Sequence, residues 1–173
     1  MTSRHLTTLT TLGLLTLLVS AANAEEIHHS FFVAGPTFTG IIDEAGKPVW
    51  DSGRAGARDG AVLPNGNILI AWNNEVKEFT RDKKVVFHYQ KSPNCKELGT
   101  AQRLGDGNTL ITELGTKPRL LEVTSKGTIA VEVPLQPETN NAHMQTRMAR
   151  KLANGNYLVP HLLAFKVKEY TPT

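Results

Sequence analysis

The chain has 173 residues, with 19 Lys and Arg against 16 Asp and Glu, 40% hydrophobic residues and a single cysteine. That length and apolar content suit one domain with a sizeable core and exclude wholesale disorder. One cysteine excludes an internal disulfide and a thiolate zinc site, and a net charge of +3 from scattered basic residues is too small to point to nucleic acid.

Residues 1–24 read as an export signal. Arg4 is their only Lys or Arg, no acid is present, and an apolar stretch runs from Leu12 to Val19. Ala22, Asn23 and Ala24 then supply the small-x-small pattern of a signal-peptidase site. The apolar run is too short and too rich in threonine to cross a bilayer, which takes roughly 20 apolar residues. Cleavage after Ala24 predicts a secreted or periplasmic chain of residues 25–173, with no membrane span after the signal is removed. No cysteine stands at the cleavage point to take a lipid anchor.

Beyond the signal the chain alternates short apolar runs with polar turns. The first unit has runs over Ser30–Val33 and Phe38–Ile42, a turn at Asp43–Gly46, and a run over Pro48–Trp50. Three near-copies of one hairpin follow, at Leu63–Ile70, Leu104–Ile111 and Leu152–Val159. Their turn glycines, Gly66, Gly107 and Gly155, stand 41 and 48 residues apart. Asn-Gly or Asp-Gly between apolar runs is a strong hairpin signal, and the expected form is a type I′ turn with two positive φ angles. A second strand pair follows each hairpin: Val76–Thr80 with Val85–Tyr89, Arg119–Val123 with Thr128–Val133, and finally Phe165–Tyr170. No 3.6-residue amphipathic period occurs after the signal.

Four strands per unit at a period of 40 to 50 residues is the mark of a β-propeller blade. The predicted fold is therefore all-β, with blade-like units at 28–50, 58–89, 99–133 and 147–173, about three and a half blades. An antiparallel sandwich with three similar hairpins is the alternative. Closure takes about four blades or more, so the expected form is an open or truncated propeller. It would be a fragment of a longer ring, or one of two copies that self-associate to close one.

The stretch Ile42–Trp50, reading IDEAGKPVW, resembles the D-x-x-x-G-K-x-x-W element of pyrroloquinoline-quinone-type repeats in the quinoprotein alcohol dehydrogenase-like propellers. The resemblance covers most of residues 25–173 and implies a tryptophan docked between blades at Trp50. Later copies depart from it, with Phe87 and then Val131 at the tryptophan position. The family's vicinal cysteine pair is absent, so no quinone cofactor is expected. The Leu-Pro-Asn-Gly turn is also similar to arylsulfotransferase repeats. Those carry His-Asp just before the turn, where this chain has Arg58 and Asp59, Gly99 and Thr100, or Arg147 and Met148.

With each hairpin turn on one face, the opposite loop face is where propellers build sites. Counting back from the turn glycines aligns the innermost strands. Six before gives Gly60, Ala101 and Ala149, small residues that suit crowding near an axis. Eight before gives Arg58, Gly99 and Arg147, and twelve before gives Arg54, Cys95 and His143. The candidate ligand-binding set is therefore Arg54, Arg58, Asp59, Trp72, Glu97, Gln102, Gln145 and His161, with Lys96 nearby. His143 and Arg147 are the candidates for any catalysis. Arginines can clamp a carboxylate, sulfate or phosphate, His143 can serve as base, and Trp72 can stack on a sugar ring. The competing reading makes Arg58 and Asp59 inter-blade ion pairs and Trp72 inter-blade packing. His28 and His29 have no third ligand at metal-binding spacing, so no metal is expected. The functional expectation is a ligand-binding or scaffold module for a small molecule or carbohydrate. The alternative is a propeller enzyme, arylsulfotransferase-like or polysaccharide-processing.

Overall fold

The structure, a computed structural model, describes residues 28–172; the predicted signal segment lies outside them. Four antiparallel sheets follow one another along the chain. The first joins β1 (Phe31–Ala34), β2 (Thr39–Ile42) and β3 (Pro48–Asp51). The second joins β4 (Asp59–Val62), β5 (Ile68–Ala71), β6 (Glu75–Phe79) and β7 (Val85–Gln90). The third joins β8 (Cys95–Arg103), β9 (Thr109–Gly115), β10 (Arg119–Val123) and β11 (Ile129–Pro134). The fourth joins β12 (Arg150–Lys151), β13 (Tyr157–His161) and β14 (Lys166–Tyr170). Every sheet is a sequential meander. The two three-stranded sheets stand at the ends of the series, and no strand of the first pairs with one of the fourth. The architecture is an open arc of blades, as the repeat spacing predicts.

The hairpin turns differ from expectation. Gly66, Gly107 and Gly155 have φ of 83°, 89° and 89°, but the residues before them are not in the positive-φ region. Gly66 N donates to the Leu63 carbonyl at 2.8 Å, and Leu63 N donates to that of Asn67 at 2.7 Å. This is a type I turn closed by a glycine bulge rather than type I′. The reason is legible at Pro64, whose ring fixes φ near about −65° and suits the second position of a type I turn. Asn65 Oδ1 then accepts the Asn67 N–H at 3.0 Å, and the pairs Asp106–Asn108 and Asn154–Asn156 repeat that bond.

Three apolar layers hold the sheets face to face. Ile41 and Trp50 meet Ile68, Ile70 and Trp72 between the first two sheets. Leu69, Ala71, Val76 and Phe87 meet Leu98, Ala101, Ile111 and Leu121 between the second and third. Leu110, Leu120 and Val133 meet Ala149, Tyr157 and Val159 between the third and fourth. Strand β5 is buried on both faces because it lies between two sheets, which explains its unbroken apolar run. Trp50 is buried between the first two sheets. Its indole N–H donates to the Arg81 carbonyl at 3.0 Å, and its ring meets Phe79 edge-on at 6.0 Å. Phe87 takes the corresponding place one blade on, with the Arg103 guanidinium 5.0 Å above its ring.

Charged staples repeat between blades. Glu78 pairs with Arg103, and Glu122 pairs with Lys151 at 2.5 Å, each time joining a third strand to the innermost strand of the next sheet. The small column before the turns has a packing cause. A Cβ on Gly60 would lie 2.7 Å from both the Leu69 carbonyl oxygen of its own sheet and the Phe32 ring of the neighbouring one, so close packing on both sides excludes a side chain there. Leu158 is the repeat equivalent of Leu69 and Leu110. Both of those are 0% exposed, whereas Leu158 is 39% exposed, because no described sheet covers the outer face of β13.

Candidate functional site

Four of the predicted side chains meet on the loop face, brought together by three successive inter-sheet segments. Arg58 is placed by its own backbone N–H, which donates to the Ala71 carbonyl at 2.8 Å just before β4 begins. Its guanidinium reaches across to the third sheet, donating to Glu97 Oε2 at 2.5 Å and to the Leu98 carbonyl at 3.2 Å. Glu97 lies near the start of β8, where the strand extends to nine residues with register shifts around Glu97 and Leu98. His143 sits in the 3-10 turn Ala142–Met144, whose first N–H groups are capped by Asn141; the Asn141 side chain accepts from His143 N at 3.2 Å. Arg147 Nη2 donates to the His143 carbonyl at 3.0 Å and lies 2.8 Å from the ring Nδ1.

The cluster has unequal charge and one unused acceptor. It holds two guanidinium groups, Arg58 and Arg147, against the single carboxylate of Glu97. Burial pushes the Glu97 carboxyl up, but Arg58, His143 and Arg147 outweigh it and hold the group below the usual carboxylate range. Arg147 is shifted down, first by burial and then by the like charge of Arg58, with Glu97 opposing. Glu97 Oε1 is buried and has no hydrogen-bond partner. His143 Nδ1 is the near group, at 3.5 Å. Arg147 Nη2 lies 2.8 Å from that nitrogen and 3.1 Å from Nε2, so the imidazole stands against both the guanidinium and the carboxylate.

The remaining candidates lie apart from the cluster, each engaged with other groups of the protein. Asp59 is 6% exposed; it accepts the Ala101 N–H at 3.1 Å and pairs with Arg150 of the fourth sheet at 3.1 Å. Trp72 is 2% exposed and lies in the layer between the first two sheets, so its face is not open to a sugar. Arg54 stacks on that ring at 4.9 Å and pairs with Glu75 at 2.5 Å, away from the cluster. Gln145 is 2% exposed, and its amide bonds both the N–H and the carbonyl of Gly115, at 2.9 and 2.7 Å. His161 is enclosed by Glu138 and Tyr170, each at 3.1 Å, and is likewise 2% exposed. Gln102 lies towards the turn end of β8, where its side-chain Oε1 accepts the Lys151 backbone N–H at 3.0 Å. A signal for two of these existed. Counting by two from Ile68 puts Trp72 on the face of Ile70, and counting from Tyr157 puts His161 on the face of Val159; both faces are buried.

Cys95 lies beneath the cluster. Its thiol donates to the Glu97 carbonyl at 3.1 Å, and burial, with Glu113 nearby, pushes it up to about 11. Such a thiol stays protonated and does not act as a nucleophile. A cavity of about 470 Å³ lies elsewhere, on the rim between Ser92, Asn94, Lys117 and Arg119. Its central acid is already saturated. Glu113 accepts from Tyr89, Ser92 and Arg119. Cavity volume and unsatisfied polar chemistry therefore separate, and the chemistry favours the Arg58–Glu97–His143–Arg147 cluster. Among the described residues no group of three or more His, Cys, Asp and Glu could hold a metal ion.

No protein-family profile and no curated protein matches the chain. Solved structures do. A protein of unknown function from Bacteroides caccae matches with a TM-score of 0.72 and 28% identity over 84% of this chain and 54% of its own. A streptogramin B lyase matches at 0.55 and 14% identity over 82% and 50%. A catalytically inactive virginiamycin B lyase from Staphylococcus aureus, solved with quinupristin, matches at 0.56 and 12% identity over 83% and 55%. The chain spans about half the length of the solved structures it matches. At these identities the lyases share the fold with this chain. The four stacked antiparallel sheets and these likenesses together make it a β-propeller arc.

Proposed function

We propose that the chain is an exported β-propeller module that binds a small anionic ligand on its loop face, built from repeats of the pyrroloquinoline-quinone type without the quinone. The observation that carries this reading is the charge imbalance of the cluster. Arg58 is neutralised by Glu97 at 2.5 Å, while Arg147 has His143 as its side-chain partner and keeps its charge for a ligand. A half-buried guanidinium beside a second one is a site for a carboxylate, sulfate or phosphate. Residues 1–24 support export, and the docked Trp50 supports the repeat type.

A second reading, a propeller enzyme working at the same mouth, is favoured by His143, whose side chain is 64% exposed within this charged setting. One experiment addresses both. Anion-dependent thermal shifts with sulfate, phosphate and acetate are measured on the chain and on Arg147→Ala. Ligand at one hundred times its dissociation constant adds about 2.7 kcal/mol of stability. The binding reading expects that shift in the native chain and its loss in Arg147→Ala. Equal shifts in both, or none in either, reject the site. Turnover of a sulfated or polysaccharide substrate that disappears in His143→Ala with stability unchanged moves the assignment to the enzyme.

A further inference from the structure

The cavity of about 470 Å³ lies on the third sheet, and none of the four cluster side chains lines it. Three segments wall it: the approach to β8, the connection from β9 to β10, and the end of β11. Backbone bonds tie these walls, so the hollow exists before anything enters it. Cys95 N donates to the Ser92 carbonyl at 3.0 Å, and Leu135 N donates to the Pro118 carbonyl at 2.9 Å. The buried polar groups are spent on one another. Glu113 accepts from Tyr89, Ser92 and Arg119, and Arg119 also pairs with Glu132 at 2.9 Å. Pro118, Pro134 and Leu135 supply an apolar wall, and the two prolines have no backbone N–H to satisfy.

The exposed part of the lining is built the other way. Asn94, Thr116 and Lys117 are exposed, and among the described residues none of their side chains has a hydrogen-bond or ion-pair partner. Glu113, Arg119 and Glu132 are joined in one run of ion pairs, so Lys117 is the charged group of the lining left without a partner. An apolar hollow with a few free polar groups is the make-up of a small-molecule site, and such sites enclose about 300 to 1,000 Å³. We propose that this cavity, separately from the anion site of the cluster, binds a small carboxylate with an apolar body. The body lies against Pro118, Pro134 and Leu135, and the carboxylate meets the Lys117 ammonium. Burial of the body supplies most of the affinity, because an ion pair at an exposed lysine adds little. Glu132, whose side chain is 48% exposed, is the acid that would instead draw a cation, so the test includes an amine.

The test follows backbone amide resonances of the labelled chain during titration with sodium phenylacetate, sodium acetate, phenylacetamide and 2-phenylethylamine at matched ionic strength. Phenylacetate is expected to shift the amides of Asn94, Thr116, Lys117 and Leu135. It should bind at least about tenfold tighter than acetate, the least that burial of a phenyl ring supplies. It should bind up to about fivefold tighter than phenylacetamide, the range of an exposed ion pair. In Lys117→Gln that second preference should vanish while phenylacetamide binds as before; Lys117 has no partner to lose, so the fold is kept. Acetate as tight as phenylacetate overturns the apolar wall as the source of affinity. Phenylacetamide or the amine as tight as phenylacetate overturns the role of Lys117. Shifts confined to His143 and Arg147 overturn the cavity and leave the anion site of the cluster standing. No shift with any probe overturns the cavity site.

Discussion

Leu110 and Leu158 occupy the same position of the repeat, three residues after the turn glycine, yet they should respond differently to truncation. Leu110 is 0% exposed in the layer between the third and fourth sheets. Leu→Ala there removes the transfer energy of the side chain and leaves a cavity walled by Leu120, Val133 and Tyr157, a loss of about 3 kcal/mol. Leu158 is 39% exposed on the outer face of β13. Truncation there leaves no enclosed void and loses only part of the burial, about 1 kcal/mol. With a urea dependence of about 2 kcal/mol per molar, the midpoints should fall by about 1.5 M for Leu110→Ala and about 0.5 M for Leu158→Ala. Circular dichroism at several chain concentrations measures both. Equal losses would refute the exposed outer face and show that, in solution, something covers it. Losses at Leu158 that grow with chain concentration would identify a second copy as the cover.

Further consequences are open to measurement. Cys95, protonated by burial, should resist iodoacetamide at pH 8 in the folded chain and react at once in urea. Phe165 holds φ of 51° while 94% exposed, a left-handed conformation that costs a bulky residue about 1 kcal/mol. Phe165→Gly should therefore raise the melting temperature by a degree or more, and a fall would contradict the strain. Burial raises the Glu113 carboxyl, but Ser92, Arg119 and Tyr89 outweigh it and leave the group below its reference of 4.5. A depressed carboxylate contributes stability that is complete above the unfolded value and is lost as pH falls through the folded one. Glu113→Gln should thus be less stable than the native chain at neutral pH, and the difference should shrink below pH 4.5; a gap independent of pH would remove the ionic contribution.

The sequence by itself determined the blade. Turn glycines at a 41- to 48-residue spacing and the tryptophan element at Trp50 are local features that can be read along the chain, whereas the type I turn at Pro64 departs from the expected type I′. Side-chain parity was present in the sequence too, and it runs against the expectation of Trp72 and His161 as ligand contacts, since both are buried. What the repeat spacing could not decide is which polar side chains satisfy one another. Asp59 and Arg58 are adjacent in the chain, yet one turns to Arg150 in the fourth sheet and the other to Glu97 in the third. Gln145 and His143 share one short connection, yet one is locked onto Gly115 and the other stands at the surface. Those choices depend on distances between segments 30 to 91 residues apart in sequence, the longest being the contact of Arg150 with Asp59. Hydrogen-bond valence is a property of the assembled neighbourhood. Tertiary structure alone therefore decided that the predicted set contracts to four side chains, and that one carboxylate oxygen among them has no hydrogen-bond partner.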